Sequence, residues 1–247
     1  MRLVWKIVRV AVALFLGSSI LAVVFLRFIP VFITPLMIIR CVEQHSDGKD
    51  MRMYHKWVSI EKMSPHLPVA VMASEDQRFL LHNGFDFDAI KKAAKHNKNG
   101  SSNTHGASTI TQQTVKNVFL WPQRSWLRKG LEAYFTVLVE LLWSKQRIME
   151  VYLNSIEMGD GIYGAYSVAK HHFGKDVSEL SRGECALIAT SLPNPRKMNS
   201  GSPSRYMLSR KNKIEREMKS IPSFPKEGEE IDPKTVSGGI YSKDNKK

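Results

Sequence analysis

Cysteine is scarce in this chain of 247 residues, which has only two, Cys41 and Cys185. So few cysteines exclude a disulfide framework and most metal-thiolate sites. No segment of about 20 to 50 residues repeats along the chain, which excludes solenoids and propellers. The alternation of apolar and polar residues that is typical of β-strands is also scarce, whereas helical spacing dominates from Pro65 onward. The sequence therefore predicts a largely helical protein.

Acidic residues are outnumbered, since 23 Asp and Glu stand against 36 Lys and Arg and give a net charge of +13. Such an excess indicates an anionic partner: nucleic acid, a lipid headgroup surface or a phosphorylated substrate. The content of hydrophobic residues, 43%, and of aromatic residues, 9%, excludes a disordered chain.

The first forty residues contain no acid at all. The 17 residues between Arg9 and Arg27, VAVALFLGSSILAVVFL, carry no charge and would form a helix of roughly 26 Å, close to the thickness of a bilayer core. Basic residues precede this run, so the positive-inside rule predicts a cytoplasmic N-terminus and a domain outside the cytoplasm. The alternative is a cleaved signal peptide, with a small-residue site at Gly17-Ser18-Ser19. Because the apolar sequence resumes as FIPVFITPLMII, we favour a single-pass anchor followed by a segment at the membrane surface.

Three regions are expected along the chain. Residues 1–40 would be the anchor and a membrane-associated apolar segment, 41–220 one all-α domain, and 221–247 a polar, disordered tail. Asp86 is the expected N-cap of one helix, and residues 97–107 form a polar loop that is expected to be mobile. Helices are predicted near residues 68–81, 87–96, 108–118, 126–143, 145–157, 161–172, 178–191 and 203–219.

A first candidate site is Glu75, which shares one predicted helix face with Phe79 and His82 at i, i+4 and i+7. A carboxylate beside an aromatic ring can be desolvated, which suits general acid-base chemistry. The alternative is an ordinary amphipathic helix with a capped end.

A second candidate is the helix that begins after Ser108, the expected N-cap. One side of it carries an uncharged polar stripe that ends in a cation, formed by Thr109, Gln113, Lys116 and Asn117. Such groups suit sugar hydroxyls and amides. The alternative is a surface helix without a ligand.

A third candidate lies at the start of the next helix and just before it, where Arg124, Arg128 and Glu132 stand at intervals of four residues and Lys129 lies beside them. Cations at this density could hold a diphosphate. The alternative is an exposed i,i+4 ion pair, worth only about 0.3 to 0.5 kcal/mol. A further polar face combines Lys145, Arg147, Glu150, Asn154 and Glu157.

Other patterns lead to no site. The sequence GDGIYG at 159–164 has the spacing of a dinucleotide-binding fingerprint, but it follows a helical pattern rather than a strand, so we interpret its glycines as a tight turn between helices. The sequence SIEK at 59–62 has the spacing of penicillin-binding transpeptidases but lacks their K-T-G partner. His171 and His172 are adjacent and cannot both face one metal from a regular helix, so no zinc site is predicted.

Together these segments resemble the peptidoglycan glycosyltransferases, glycosyltransferase family 51. EDQRFLLHNG resembles the family's ED-x-x-F-x-x-H-x-G element, and HGASTITQQTVKN its G-[GA]-S-T-[IL]-[ST]-Q-Q-x-x-K-N element. RKGLE resembles R-K-x-x-E, KQRIMEVYLN resembles R-I-L-E-x-Y-L-N, and HHFGK and ECALIATSLPNP resemble two later stretches. These elements stand in family order over about residues 56–210, and no transpeptidase domain follows, so the chain resembles the monofunctional members.

The resemblance implies a lysozyme-like, all-α fold with a small membrane-embedded jaw, which would include the apolar segment 28–39. It implies an enzyme that polymerises lipid II into β-1,4-linked glycan strands, with inversion and with release of undecaprenyl diphosphate. The implied partners are lipid II, the growing strand, the lipid bilayer, and other proteins of cell-wall synthesis or division. Nucleic acid is not expected, because the anchor would place the basic domain outside the cytoplasm.

The resemblance also implies roles for individual residues. Glu75 would be the general base, and Glu132 the second catalytic carboxylate, which supports the donor diphosphate. Lys116, Arg128 and Lys129 would neutralise the leaving group, alone or with a divalent cation such as Mg²⁺ or Mn²⁺. The set of substrate-binding residues is completed by Asp76, Phe79, His82, Thr109, Gln112, Gln113, Asn117, Glu150 and Asn154.

Two alternatives differ from this reading. A lytic transglycosylase or muramidase of the same broad fold needs a carboxylic acid but no diphosphate-binding cations, so the cations between Lys116 and Lys129 argue against it. A membrane-tethered binding module for cell-wall assembly would tolerate Glu75→Gln, whereas an enzyme that uses Glu75 as its base would not.

Overall fold

The N-terminal segment is one long helix, α1, over Arg2–Phe28. The computed structural model describes residues 1–98, 108–226 and 228–229, and α1 is the one helix in these ranges that is long and apolar enough to cross a membrane. Its 27 residues include both arginines that flank the uncharged run, and they extend over about 40 Å. The helix ends where Ile29 adopts an extended backbone before Pro30. The prediction of one N-terminal apolar helix is confirmed.

Helix α2, Pro35–Ser46, follows a short extended stretch. Its start is fixed by Thr34, whose Oγ1 accepts a hydrogen bond from the backbone N–H of Met37 at 3.3 Å. Pro35 occupies the first helical position, where a missing N–H costs nothing.

The apolar segment 28–39 has two faces. Val31 and Met37 are buried, whereas Phe32 and Ile38 are at least half exposed. The segment therefore contributes to the core on one side and leaves an apolar surface on the other, close to the end of α1.

The rest of the described chain is mostly helical, as predicted. Its helices are α3 (His66–Glu75), α4 (Phe87–Lys98), α5 (Ile110–Phe119), α6 (Trp126–Leu142), α7 (Lys145–Ser155), α8 (Gly164–Val168), α9 (Arg182–Ser191) and α10 (Arg205–Glu217). Helix α5 packs against α6 and α7, and α9 packs against α3 and α10. The core between them contains fully buried apolar side chains, among them Leu67, Ile110, Ile148, Tyr152 and Ile188. The all-α, lysozyme-like class is confirmed.

A small sheet is the main departure from the predicted elements. Its strands are β1 (Tyr54–His55), β2 (Glu157–Gly159) and β3 (Ile162–Tyr163), in the order β1-β3-β2. Strand β1 pairs parallel to β3, and β2 pairs antiparallel to it. The prediction of helix over 145–157 is therefore wrong at its end, and that over 161–172 is wrong at its start.

The glycines of GDGIYG form a β-hairpin and its exit, not a turn between helices. Gly161 has φ +71°, and a Cβ there would lie 2.5 Å from the backbone oxygen of Arg52. Gly164 has φ +78°, and a Cβ there would lie 2.4 Å from the backbone oxygen of Asn154. Both positions require glycine because the left-handed backbone and the close approach of a second chain segment exclude a side chain.

Three helix boundaries also differ from prediction. The helix predicted over 68–81 ends at Glu75, because Asp76 leaves helical geometry with φ −160° and ψ 79°. The helix predicted over 178–191 begins at Arg182, after a capping box formed by Ser181 and Glu184. The expected N-cap Ser108 is replaced by its neighbour, Thr109.

Two further expectations concern α4 and the loop after it. Asp86 does cap α4, since its Oδ1 accepts a hydrogen bond from the backbone N–H of Ala89 at 2.9 Å. Of the loop predicted over 97–107, residues 99–107 lie outside the described residues, as do 227 and 230–247 of the predicted tail.

Helix α1 is joined to the helical domain by polar contacts along α6 and α7. Ser19 Oγ and Tyr134 OH share a hydrogen bond of 2.7 Å, and Trp143 Nε1 donates to the backbone oxygen of Val23 at 2.8 Å. Arg147 Nη2 donates to the backbone oxygen of Leu26 at 2.9 Å, near the end of α1. The apolar helix therefore has a defined position beside the domain.

Candidate active site

A cleft of about 500 Å³ lies where α2, α5, α6, β2 and the segment after α9 meet. The segment after α9 contributes Leu192, Pro193 and Pro195 to its wall. Ser108, Pro122 and Ile156 also line it. The remaining lining residues are Leu36, Arg40, Gln113, Lys116, Asn117, Arg124, Arg128, Lys129, Glu132 and Glu157. Most candidates from the second and third sequence motifs thus meet at one cleft.

Glu75 is connected to this cleft through Gln113. Glu75 is the last residue of α3 and is partly exposed. Its Oε2 accepts a hydrogen bond from Gln113 Nε2 at 3.1 Å, and its Oε1 accepts one from Ser74 Oγ at 3.0 Å. Gln113 Oε1 in turn accepts a hydrogen bond from Tyr152 OH at 3.2 Å. A carboxylate with available surface therefore stands beside a polar side chain of the cleft.

Asp76 and His82 hold the turn that follows Glu75. The carboxylate of Asp76 is buried. Its Oδ2 accepts from the backbone N–H of Ile110 at 3.0 Å, and its Oδ1 lies 2.9 Å from His82 Nε2. Because Ile110 begins α5, Asp76 ties the end of α3 to the start of α5, and neither Asp76 nor His82 lines the cleft.

Phe79 is also internal. It is fully buried, and Lys145 Nζ lies 4.6 Å from the centre of its ring. Lys145 also donates a hydrogen bond of 2.6 Å to the backbone oxygen of His82. Since the chain is not helical beyond Glu75, these residues do not form the single helix face that the spacing predicted.

Thr109 and Gln112 form the capping box of α5. Thr109 Oγ1 accepts from the backbone N–H of Gln112 at 3.2 Å, and Gln112 Oε1 accepts from the backbone N–H of Thr109 at 3.0 Å. Thr109 Oγ1 also donates to the backbone oxygen of Gly84 at 2.7 Å. Both side chains are buried, so they fix the helix start that positions Gln113.

The cationic part of the cleft surrounds Glu132, whose side chain is only 4% exposed. Arg128 Nη1 donates to Glu132 Oε2 at 2.6 Å, and Lys129 Nζ donates to Oε1. Arg128 is also buried, at 9% exposure, so the pair is not the exposed surface ion pair that helical spacing alone left open. The backbone start of α6 is fixed by Ser125, which accepts from the N–H of Arg128 at 3.1 Å.

Burial lowers the pKa of Lys116, which faces the same group of charges. The attraction of Glu132 opposes this effect, and the repulsion of Arg128, Lys129 and Arg124 adds to it. Four cationic side chains, those of Lys116, Arg124, Arg128 and Lys129, thus lie near a single carboxylate, that of Glu132. The excess of positive charge makes this part of the cleft suitable for an anion such as a diphosphate.

Glu150 and Asn154 lie apart from the cleft. Asn154 Oδ1 accepts from the backbone N–H of Val58 at 2.9 Å, and its Nδ2 donates to the oxygen of the same residue at 2.9 Å. Glu150 Oε1 accepts from the backbone N–H of Ile60 at 3.2 Å, and it lines a different cavity, of about 560 Å³, near the end of α1. Both side chains hold the segment that leads from β1 to α3.

The described residues include one group with metal-ligand spacing, formed by Asp76, His82 and Asp86 within 4.8 Å of one another. Both oxygens of Asp76 and Oδ1 of Asp86 already have partners. Asp76 accepts from Ile110 and contacts His82, and Asp86 accepts from the first turn of α4. These contacts account for the group as part of the fold. Glu132, the carboxylate among the cations, likewise has both oxygens engaged.

Comparison with known proteins shows to which family the chain belongs. A family profile described as Transglycosylase matches residues 43–219, which is more than half of the chain. The chain belongs to the transglycosylase family. Its motif-bearing helices α3, α5, α6, α7 and α9 all lie within the matched range, and so do the cleft residues from Lys116 to Pro195.

Several relatives in the transglycosylase family match nearly the whole chain. A protein of Bacteroides thetaiotaomicron named biosynthetic peptidoglycan transglycosylase is 58% identical over 223 residues, covering 89% of this chain and 90% of the relative. A protein of the same name from Bdellovibrio bacteriovorus is 48% identical over 230 residues, with 92% and 91% covered. One from Pseudomonas syringae is 47% identical over 207 residues, with 84% and 87% covered.

Two charged residues of the cleft, Arg40 and Glu157, belong to none of the three candidate sites predicted from the sequence. Arg40 is the last residue of the segment 1–40 that is expected at the membrane, and Glu157 was expected on the polar face that follows Lys145. The structure places Arg40 on α2 and Glu157 on β2, and both line the cleft. The sequence does contain a signal for the position of Glu157. It lies just before the glycines of GDGIYG, and these glycines end the helical spacing of α7.

Proposed function

We propose that this chain polymerises lipid II into β-1,4-linked glycan strands at the outer face of the inner membrane. The observation that carries this proposal is the pairing of two features in one place. Glu75 is hydrogen-bonded to Gln113, and Gln113 lines the same cleft as the group of cations around the buried Glu132. Glycosyl transfer from a lipid diphosphate needs two elements. One is a base that takes the proton of the acceptor hydroxyl, and the other is positive charge that binds the anionic leaving group.

In the proposed reaction Glu75 takes the proton from the 4-hydroxyl of the acceptor N-acetylglucosamine. The hydroxyl oxygen forms a bond with the anomeric carbon of the terminal N-acetylmuramic acid of the growing strand, with inversion. The bond between that carbon and the diphosphate oxygen breaks, and undecaprenyl diphosphate leaves with the bonding electrons. Lys116, Arg128 and Lys129 stabilise the charge that develops on this leaving group.

Glu132 holds two of these cations in place, since Arg128 and Lys129 both donate to it. We propose that it acts on the reaction through them. Gln113 and Asn117, which line the cleft, would contact the sugars. The other residues that the resemblance marks as substrate-binding would support the site through the contacts described above; they are Asp76, Phe79, His82, Thr109, Gln112, Glu150 and Asn154.

The proposed role of a divalent cation is limited. Mg²⁺ or Mn²⁺ bound with the diphosphate would supply additional positive charge at the leaving group. Both oxygens of Glu132 already accept hydrogen bonds, from Arg128 and Lys129. The described residues therefore do not provide a dedicated metal site there. We therefore assign the stabilisation of the leaving group chiefly to the basic side chains, and a divalent cation would add to it only as a group bound by the diphosphate itself.

The membrane arrangement follows from α1. We propose that α1 spans the inner membrane once, with its basic N-terminus in the cytoplasm and the helical domain on the periplasmic face. The exposed apolar side chains of Phe32, Ile33 and Ile38 follow α1 in the chain, and they would lie at the membrane surface, where lipid II is presented. Contacts with other proteins of cell-wall synthesis or division are proposed from the resemblance only.

The substrate class can be tested with the detergent-solubilised full chain and two labelled substrates, lipid II and finished glycan strands. We expect polymer from lipid II and no cleavage of finished glycan. Cleaved glycan together with unchanged lipid II would contradict the proposal in favour of a lytic enzyme, which needs no group of diphosphate-binding cations. No change in either substrate would contradict it in favour of a binding module.

A further inference from the structure

A second charged group lines the cleft and takes no part in the proposed reaction. Arg40 Nε lies 3.5 Å from Glu157 Oε2, and Arg40 Nη1 donates to Glu43 Oε2 at 2.5 Å. Arg40 belongs to α2, the helix that follows the membrane segment, whereas Glu157 begins β2. The pair therefore joins the segment near the membrane to the small sheet at the wall of the cleft.

This pair and the cations around Glu132 have different neighbouring charges within the one cleft. The charges that act on Glu157 belong to Arg40, Arg196 and Asp160. Those that act on Lys116 belong instead to Glu132 and to the cations of α6 and the loop before it. The cleft thus has one part with a large excess of positive charge and another in which a carboxylate is balanced by arginine.

Glu157 has an unused hydrogen-bond acceptor. The residue is only 5% exposed, and its Oε1 has no hydrogen-bond partner among the residues that the structure describes. An unsatisfied buried carboxylate oxygen is costly, and Glu157 lines the cleft, so a small rotation of its side chain would allow the carboxylate to accept a hydrogen bond from a bound ligand. Burial raises the pKa of Glu157, and that effect is opposed by Arg40, by Arg196 and by a contact with the backbone N–H of Gly161 that falls outside hydrogen-bond geometry.

We propose that Glu157, oriented by Arg40, is a specificity-determining residue that accepts a hydrogen bond from a sugar hydroxyl or amide N–H of the substrate. This inference rests on the proposed function. A carboxylate accepts hydrogen bonds and repels a diphosphate, so Glu157 and the cations around Glu132 select opposite ends of one ligand. Together they orient the substrate, with the saccharide at Glu157 and the diphosphate at the cations.

The test compares two ligands, lipid II and undecaprenyl diphosphate, which differ by the saccharide. Binding of each to the detergent-solubilised full chain is measured without turnover, and kcat and KM are measured with lipid II. For Glu157→Gln we expect affinity for lipid II to fall about tenfold and KM to rise accordingly, because a charge-assisted hydrogen bond becomes a neutral one. Affinity for undecaprenyl diphosphate should stay the same. For Lys129→Gln we expect both affinities to fall.

Glu217→Gln on α10 is the matched control, since it makes the same change away from the cleft, and it should affect neither ligand. Thermal unfolding of each variant shows whether it is folded. Arg40→Lys, which keeps the charge but loses the guanidinium geometry, should weaken lipid II binding in the same direction as Glu157→Gln. Unchanged lipid II affinity in a folded Glu157→Gln protein, or an equal loss for both ligands, would overturn the inference. A wild type that binds lipid II but makes no glycan would refute the proposed function alone, because the binding comparison does not depend on turnover.

Discussion

The amide of Gln113 stands between Tyr152 and Glu75, accepting a hydrogen bond from the phenol and donating one to the carboxylate. Burial raises the pKa of Tyr152 well above its ordinary value, and the charges of Glu75 and Asp76 act in the same direction. The phenol therefore stays protonated and remains a donor. As a result, the amide oxygen of Gln113 is held toward Tyr152 and its NH₂ group toward Glu75.

This relationship predicts that Tyr152→Phe weakens catalysis without removing a group that touches the substrate. Loss of one neutral hydrogen bond should lower kcat about two- to tenfold, because the Gln113 amide is then free to turn its oxygen toward Glu75. KM for lipid II should change little. Tyr206→Phe, at an exposed position of α10, is the matched control. An unchanged kcat in folded Tyr152→Phe protein would show that the orientation of Gln113 does not matter.

The lowered pKa of Lys116 predicts an alkaline limit to activity. Lys116 is charged below its pKa and loses its charge as the pH rises through that value. Because burial places this pKa below the ordinary value of 10.5, kcat/KM should begin to fall at a lower pH than an exposed lysine would give. In Lys116→Arg the side chain stays charged, so the fall should move to higher pH. A pH profile of kcat/KM with the same alkaline limb in both proteins would rule out Lys116 as its source.

The β-hairpin predicts a strong dependence on one glycine. Gly161→Ala should destabilise the fold by about 1 to 3 kcal/mol or more, because the new Cβ combines a left-handed backbone with a clash against the oxygen of Arg52. Gly174→Ala is the matched control, since Gly174 has φ +67° but no atom within 4 Å of its Cβ position. Chemical unfolding of both variants should show the larger loss for Gly161. Equal losses would mean that the backbone conformation alone sets the cost.

Much of the helical domain could be predicted from sequence, because helices are encoded by local spacing. The i,i+4 spacing of Arg128 and Glu132 placed them together on α6, and the structure shows their hydrogen bond. The stripe of α5 likewise predicted that Gln113, Lys116 and Asn117 share one side, and all three line the cleft.

The features that sequence did not reveal depend on contacts between distant segments. Each strand of the sheet has two or three residues, too few for an alternating pattern, and Tyr54 of β1 pairs with Ile162 of β3. Spacing extended α3 beyond Glu75, whereas Asp76 breaks the helix to accept a hydrogen bond from Ile110. The meeting of Arg40 with Glu157 has the same origin, because no local pattern relates α2 to a strand so far along the chain.

The most direct test of the account is the activity of Glu75→Gln with labelled lipid II, measured beside the wild type and beside the control Glu217→Gln. The substitution keeps the size of the side chain and one acceptor oxygen but removes the base that takes the proton of the acceptor hydroxyl. We expect glycan polymer from the wild type and the control, and a loss of at least about a hundredfold in Glu75→Gln, with lipid II binding retained. Polymer formed by folded Glu75→Gln at the wild-type rate would contradict the assignment of Glu75 as the base.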